Sequence, residues 1–145
     1  MHSIYFFKSI YYPNFVFLFI QILVCLFLAI LFLQSGLDKV FDYEGNLSYI
    51  RGQFINTPLK KFITIATVTI TILEVLAGAF CAAGALQLFI TGLHLWAFVG
   101  VSFSAFSILL LFFGQRMAKN YEGAATLAVY FILTLLGLLC FAWNS

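Results

Sequence analysis

The sequence predicts an all-α membrane protein, an antiparallel four-helix transmembrane bundle with a short interfacial helix between spans 1 and 2. Three observations lead there. The chain is 64% hydrophobic and only 8% charged over 145 residues, which is outside the usual composition of soluble domains. Its apolar residues gather in four runs, at about 14–35, 62–83, 87–113 and 123–143. Each reaches the roughly 20 residues that cross a hydrocarbon core of about 30 Å. The runs are continuously apolar where barrel strands would alternate, and helices satisfy their backbone polar groups internally, as the bilayer demands. The chain 1–145 therefore reads as a single membrane domain, without a linker or an internal repeat.

Span 1 follows Lys8 and lacks the small-residue cleavage site of a signal peptide, so it is expected to be retained. The loop from Gly36 to Lys61 is the one sizeable polar segment. In it Asn46 is a candidate helix cap, with Leu47, Ile50 and Phe54 on one side and Arg51 and Gln53 on the other, which predicts a helix lying in the interface. Asn56-Thr57-Pro58 then starts a fresh helix, with Pro in its first turn. Gly84 centres a short connection from Ala83 to Leu86, predicting a tight hairpin of spans 2 and 3, and Gly114 ends span 3 before a small polar turn. Tyr5, Tyr11, Tyr12, Tyr121 and Trp143 fall near span ends as an aromatic belt.

Loop cations set the orientation. Lys39, Arg51, Lys60, Lys61, Arg116 and Lys119 share one side and Lys8 stands alone on the other, which predicts that the loops are cytoplasmic and both termini outside. A net charge of +2 with no basic stripe argues against a nucleic-acid partner, leaving membrane lipids and a larger complex or homo-oligomer. There is no Walker motif, dinucleotide fingerprint or Ser-His-Asp arrangement. Cys25, Cys81 and Cys140 form no Cys-x-x-Cys pair. Cys81 and Cys140 both fall near the face bearing the termini, where a disulfide is conceivable, but the cysteines are expected as small apolar residues. His94 is the one histidine within a span, so no metal site is expected.

Glu74 is the charge that does not fit the loops. It lies about 18 Å past Phe62 at 1.5 Å per residue, where an ionised carboxylate costs roughly 2.5–3.5 kcal/mol on insertion scales. It must be protonated, paired or in contact with a polar cavity. Thr64, Thr67, Thr71, Glu74 and Gly78 follow 3–4 spacing along one stripe, which points the carboxylate into the bundle. A turn at Gly84 would bring His94 level with Glu74, and counting depth along the other spans adds Gln21, Cys25 and Tyr130. One reading of that five-residue layer is a proton-handling or quinone-headgroup site; the other is a self-satisfied polar network that fixes helix register. By the same count Lys39 falls short of Glu74 unless helix 1 is displaced, so Asp38, Asp42 or a lipid phosphate is its expected partner.

The stretch Leu31 to Val40, with Gly36, Asp38 and Lys39, followed by Ile72 to Gly78, resembles the DoxX family of small four-span membrane proteins. The family pattern is a first span ending in Gly-x-x-Lys and a second carrying Glu-x-x-x-Gly, here Gly36 with Lys39 and Glu74 with Gly78. The resemblance implies an integral subunit supporting a redox or quinone-linked membrane complex, not catalytic alone, with quinone as the candidate ligand and no covalently bound cofactor. The alternative is a structural or assembly subunit packing against a larger membrane protein. Small residues on span 3 (Gly100, Ser104, Ser107) and span 4 (Ala124, Ala128) would then form the docking faces.

Overall fold

The computed structural model describes residues 13–143; Tyr5, Lys8, Tyr11, Tyr12 and His2 lie outside the described residues. Within them the chain is helical from end to end: α1 Pro13–Phe41, α2 Tyr43–Gln53, a 3-10 turn Pro58–Lys61, α3 Ile63–Thr91, α4 Leu95–Met117 and α5 Tyr121–Trp143. The helices α1, α3, α4 and α5 are long and apolar enough to cross a membrane. They form an antiparallel bundle in which α3 packs on both α1 and α4, and α5 covers α4 and part of α1.

Side-chain placement is what a bilayer requires. Ile65, Phe89 and Leu139 are 68, 78 and 63% exposed, an outward apolar surface that water would not tolerate at this density. The interior is closed by Cys25, Leu28, Phe32, Ala77, Cys81, Leu88, Ala97, Val101 and Ile108. Buried hydroxyls are satisfied within their own helices: Thr67 donates to the Ile63 carbonyl, Thr71 to Thr67 and Thr134 to Tyr130, each at 2.7 Å. The Thr67–Thr71–Glu74–Gly78 stripe is buried as its spacing predicts, while Thr64, at the start of α3, bonds Arg51 of α2.

Backbone contact between α1 and α3 sets their spacing. A Cβ on Gly78 would stand 2.8 Å from the Leu33 backbone N, and one on Gly36 would stand 3.2 Å from that of Val75. Such approach is open only to residues without a side chain. It brings the last turns of α1 alongside the middle of α3.

Four expectations are corrected. Gly84 does not make the hairpin turn; it lies inside α3, its Cα face against Ala97 of α4. The turn is made by Gly92, whose φ of +69° is the left-handed cap conformation and whose N–H bonds the Leu88 carbonyl. Close helix packing and a left-handed turn both ask for glycine, and the first was taken for the second. The α2 cap is Asp42, whose carboxylate accepts from the Gly45 N–H, and Asn46 sits one turn in, donating to the Asp42 and Asp38 carbonyls. Span 3 passes Gly114 and runs to Met117. Finally, Gly100, Ser104, Ser107 and Ala124 are buried between helices of this chain. They hold the bundle together and are not outward docking faces.

Gly78→Leu should lower stability by about 1–3 kcal/mol through overpacking. Gly52→Ala, where an added Cβ meets nothing within 4 Å, should raise it by about 0.5–1 kcal/mol. Unfolding in detergent measures both, and equal effects at the two sites would contradict the role given to the α1–α3 contact.

Candidate functional site

Lys39 is two residues from the end of α1, and its stem lies along α3. Its ammonium is 2.8 Å from Glu74 Oε2, 2.8 Å from Ser35 Oγ and 3.2 Å from the Ser35 carbonyl. Ser35 Oγ in turn donates to Glu74 Oε1 at 3.2 Å. The carboxylate is 1% exposed and the lysine 15%. Both carboxylate oxygens and the ammonium are thus engaged within one cluster of three side chains. Such saturation is what a charge pair needs in a low-dielectric interior.

This corrects the expected partner of Lys39. Neither Asp38 nor Asp42 holds it; both are exposed, and Asp42 is occupied as a helix cap. The depth count failed because α1 does not end at Ser35. It stays helical to Phe41, and Gly36 lets it lie directly on Val75, so Lys39 arrives at the level of Glu74. Gly36, Lys39, Glu74 and Gly78 converge on this one helix contact, while Asp38 contributes only its backbone carbonyl to Asn46 and Asp42.

Beside the pair lies a cavity of about 160 Å³ lined by Leu31, Phe32, Ser35, Glu74, Ile108, Leu111, Leu127 and Tyr130. Phe32, Glu74 and Ile108 in its lining are buried, whereas Leu31, Ser35, Leu111, Leu127 and Tyr130 are half-buried, so its partly exposed rim is mostly apolar. A dry cavity of about 150 Å³ accommodates benzene, so this one matches a single ring and falls below the roughly 300–1,000 Å³ of drug-sized pockets. Its polar groups are a carboxylate, a serine hydroxyl and a phenol.

The five-residue layer divides. Glu74 and Tyr130 share the cavity. Cys25 is buried in the apolar core further along α1, and Cys81, on α3, has its Sγ 3.5 Å from Ser104 Oγ. All three cysteines are free. Gln21 is buried near the far end of the bundle, its Nε2 donating to the Cys140 carbonyl at 3.0 Å and its Oε1 without a partner. His94 caps α4 at the hairpin turn, its ring edge-on to Phe141 with centroids 6.1 Å apart and its Nδ1 buried and unpaired. Moving the turn from Gly84 to Gly92 carries His94 away from Glu74. Among the described residues no three His, Cys, Asp or Glu side chains gather as a metal site.

Sequence reasoning missed Ser35 and Lys39 as direct partners of Glu74. The available signal was their i, i+4 spacing on either side of Gly36, which puts both on the helix face that the glycine presses against α3. Compared with protein-family models, curated proteins and solved structures, the chain finds no match in any of the three.

Lys39→Met should destabilise the bundle by about 3–5 kcal/mol, because it strands a buried carboxylate. Adding Glu74→Leu should recover most of that loss. Thermal unfolding of the two single variants and the double variant checks this; additive losses would mean that the pair is not coupled.

Proposed function

We propose that this chain is a DoxX-like subunit of a bacterial inner membrane that receives a quinone headgroup in the Glu74 cavity, in support of a redox or quinone-linked complex. The observation that carries the reading is a ring-sized cavity with a mostly apolar rim and a saturated ion pair on its wall. An apolar mouth suits a ligand that arrives through lipid. The polar wall suits one whose ring carries oxygen atoms, since the Tyr130 hydroxyl is a donor and the Glu74–Lys39 pair, whose carboxylate takes the Ser35 O–H, is a fixed dipole. Quinone, when bound, takes up two electrons and two protons. The chain's own contribution is to bind and orient the ring and to hold titratable groups beside it. The DoxX resemblance that implies this role assigns catalysis to a partner.

The orientation belongs to the same proposal. Arg51, Lys60, Lys61, Arg116 and Lys119 all lie on the face that carries α2, with the Arg116 guanidinium 4.9 Å from the Tyr121 ring centroid. The cation rule makes that face cytoplasmic. Of the small residues that would serve a purely structural subunit as docking faces, Gly100, Ser104, Ser107 and Ala124 are buried inside the bundle and Ala128 is half-buried.

Mild-detergent purification of the tagged chain, with mass spectrometry of bound quinone and of associated proteins, tests the proposal. Tyr130→Phe keeps the ring packing and removes one donor, so quinone retention should fall about threefold to tenfold, the worth of one hydrogen bond. Ile108→Trp, which fills the cavity, should abolish it. Unchanged retention in both variants, or a stoichiometric protein partner with no quinone, would contradict the headgroup site.

A further inference from the structure

Glu74 is connected to one end of the bundle only. Toward the α2 end, its carboxylate meets the Lys39 ammonium. Lys39 is partly exposed and neighbours the exposed Asp38, Asp42 and Glu44 at the α1–α2 corner. Toward the end that carries the Gly92 turn, the interior is filled by one cluster of buried side chains that includes Phe32, Ala77, Leu28, Cys81, Val101, Cys25, Ala85 and Ala97. Phe32 is 2% exposed, Ala85 5% and the others 0%. Of the polar groups there, Ser104 donates to the Gly100 carbonyl and lies 3.5 Å from Cys81 Sγ, while the unpaired Gln21 Oε1 and His94 Nδ1 stand nearer the Gly92 turn, with these side chains between them and Glu74. The groups facing Glu74 from the packed helices are Lys39 and Ser35 on α1, Ile108 and Leu111 on α4, and Leu127 and Tyr130 on α5. Lys39 is the one charged member of that set.

We propose that Glu74 is a one-sided proton site, exchanging with water at the α2 face through Lys39 and sealed from the opposite face. The exchange is a simple transfer: a proton from the α2-side solution reaches the carboxylate as the Lys39 ammonium swings away from Oε2, and it leaves by the same route. Lysine suits the task because its long stem moves the head between the carboxylate and the aqueous boundary without moving the helix. The inference deepens the headgroup reading by giving the side from which protons reach the cavity. It rests on that reading for its use, though not for its test.

The test is labelling by dicyclohexylcarbodiimide, a bilayer-soluble reagent that modifies protonated carboxyls. The full chain is reconstituted in sealed vesicles sorted for orientation by a C-terminal tag, and the pH is stepped on one side at a time. Mass spectrometry should find Glu74 modification rising severalfold as the α2-side pH falls and unchanged by the pH of the other side. Lys39→Met should label strongly at every pH, because an unpaired carboxylate in this interior takes up a proton; Glu74→Gln should not label there. Labelling that follows the opposite face, or that stays absent at low pH on both sides, would overturn the proposal. No bound ligand is required, so failure here and failure of quinone retention are separate results.

Discussion

The contact between α1 and α3 at Gly36 and Gly78 is the constraint on which the rest of the structure depends. Helices that touch backbone to backbone place the side chains just beyond the contact within hydrogen-bonding distance, which long side chains on wider-spaced helices would not reach in a fixed geometry. Here those side chains are Ser35, Lys39 and Glu74. Without the approach, α3 would carry an unpaired acid through the hydrocarbon and α1 would end in a lysine seeking the interface. With it, two costs cancel.

The cancellation is incomplete in an informative way. A buried pair gives no assurance of net stability, since desolvation offsets its attraction, and an apolar pair of the same volume is often as good. What such a pair does supply is register and a titratable group at a defined depth. The bundle is otherwise economical with polarity: its buried threonines and serines are satisfied by their own helices, so none of them links one span to the next except through Ser104 and Cys81. The ion pair is thus the main polar bond between spans, and it stands next to the cavity. Gln21 and Cys140 make a second, weaker link at the far end.

Much of this was legible in the sequence. Run lengths gave the four helices, and the 3–4 spacing around Glu74 gave its inward face, because both follow from helical geometry alone. The glycines were harder. Gly84 and Gly92 look alike on paper, yet one packs against Ala97 and the other turns the chain, and a turn at Gly84 would set His94 level with Glu74, whereas it sits at the hairpin turn itself. Lys39 was harder still, because its reach depends on how closely two helices approach. That distance is set by residues on both, and depth counted along either helix alone does not contain it. The separation of Gln21 and Cys25 from Glu74 has the same origin: depth along a helix does not say which neighbours share a level once the turns shift.

Inside the bundle the Lys39 ammonium and the Glu74 carboxyl group stand 2.8 Å apart as the pair that ties α1 to α3. Infrared spectroscopy of the reconstituted protein, carrying isotope-labelled glutamate and read as the difference from Glu74→Gln, tests this most directly. A carboxylate band from Glu74 is expected in the wild type, replaced by a protonated carboxyl band in Lys39→Met. A protonated carboxyl band in the wild type, unchanged by removal of Lys39, would contradict it.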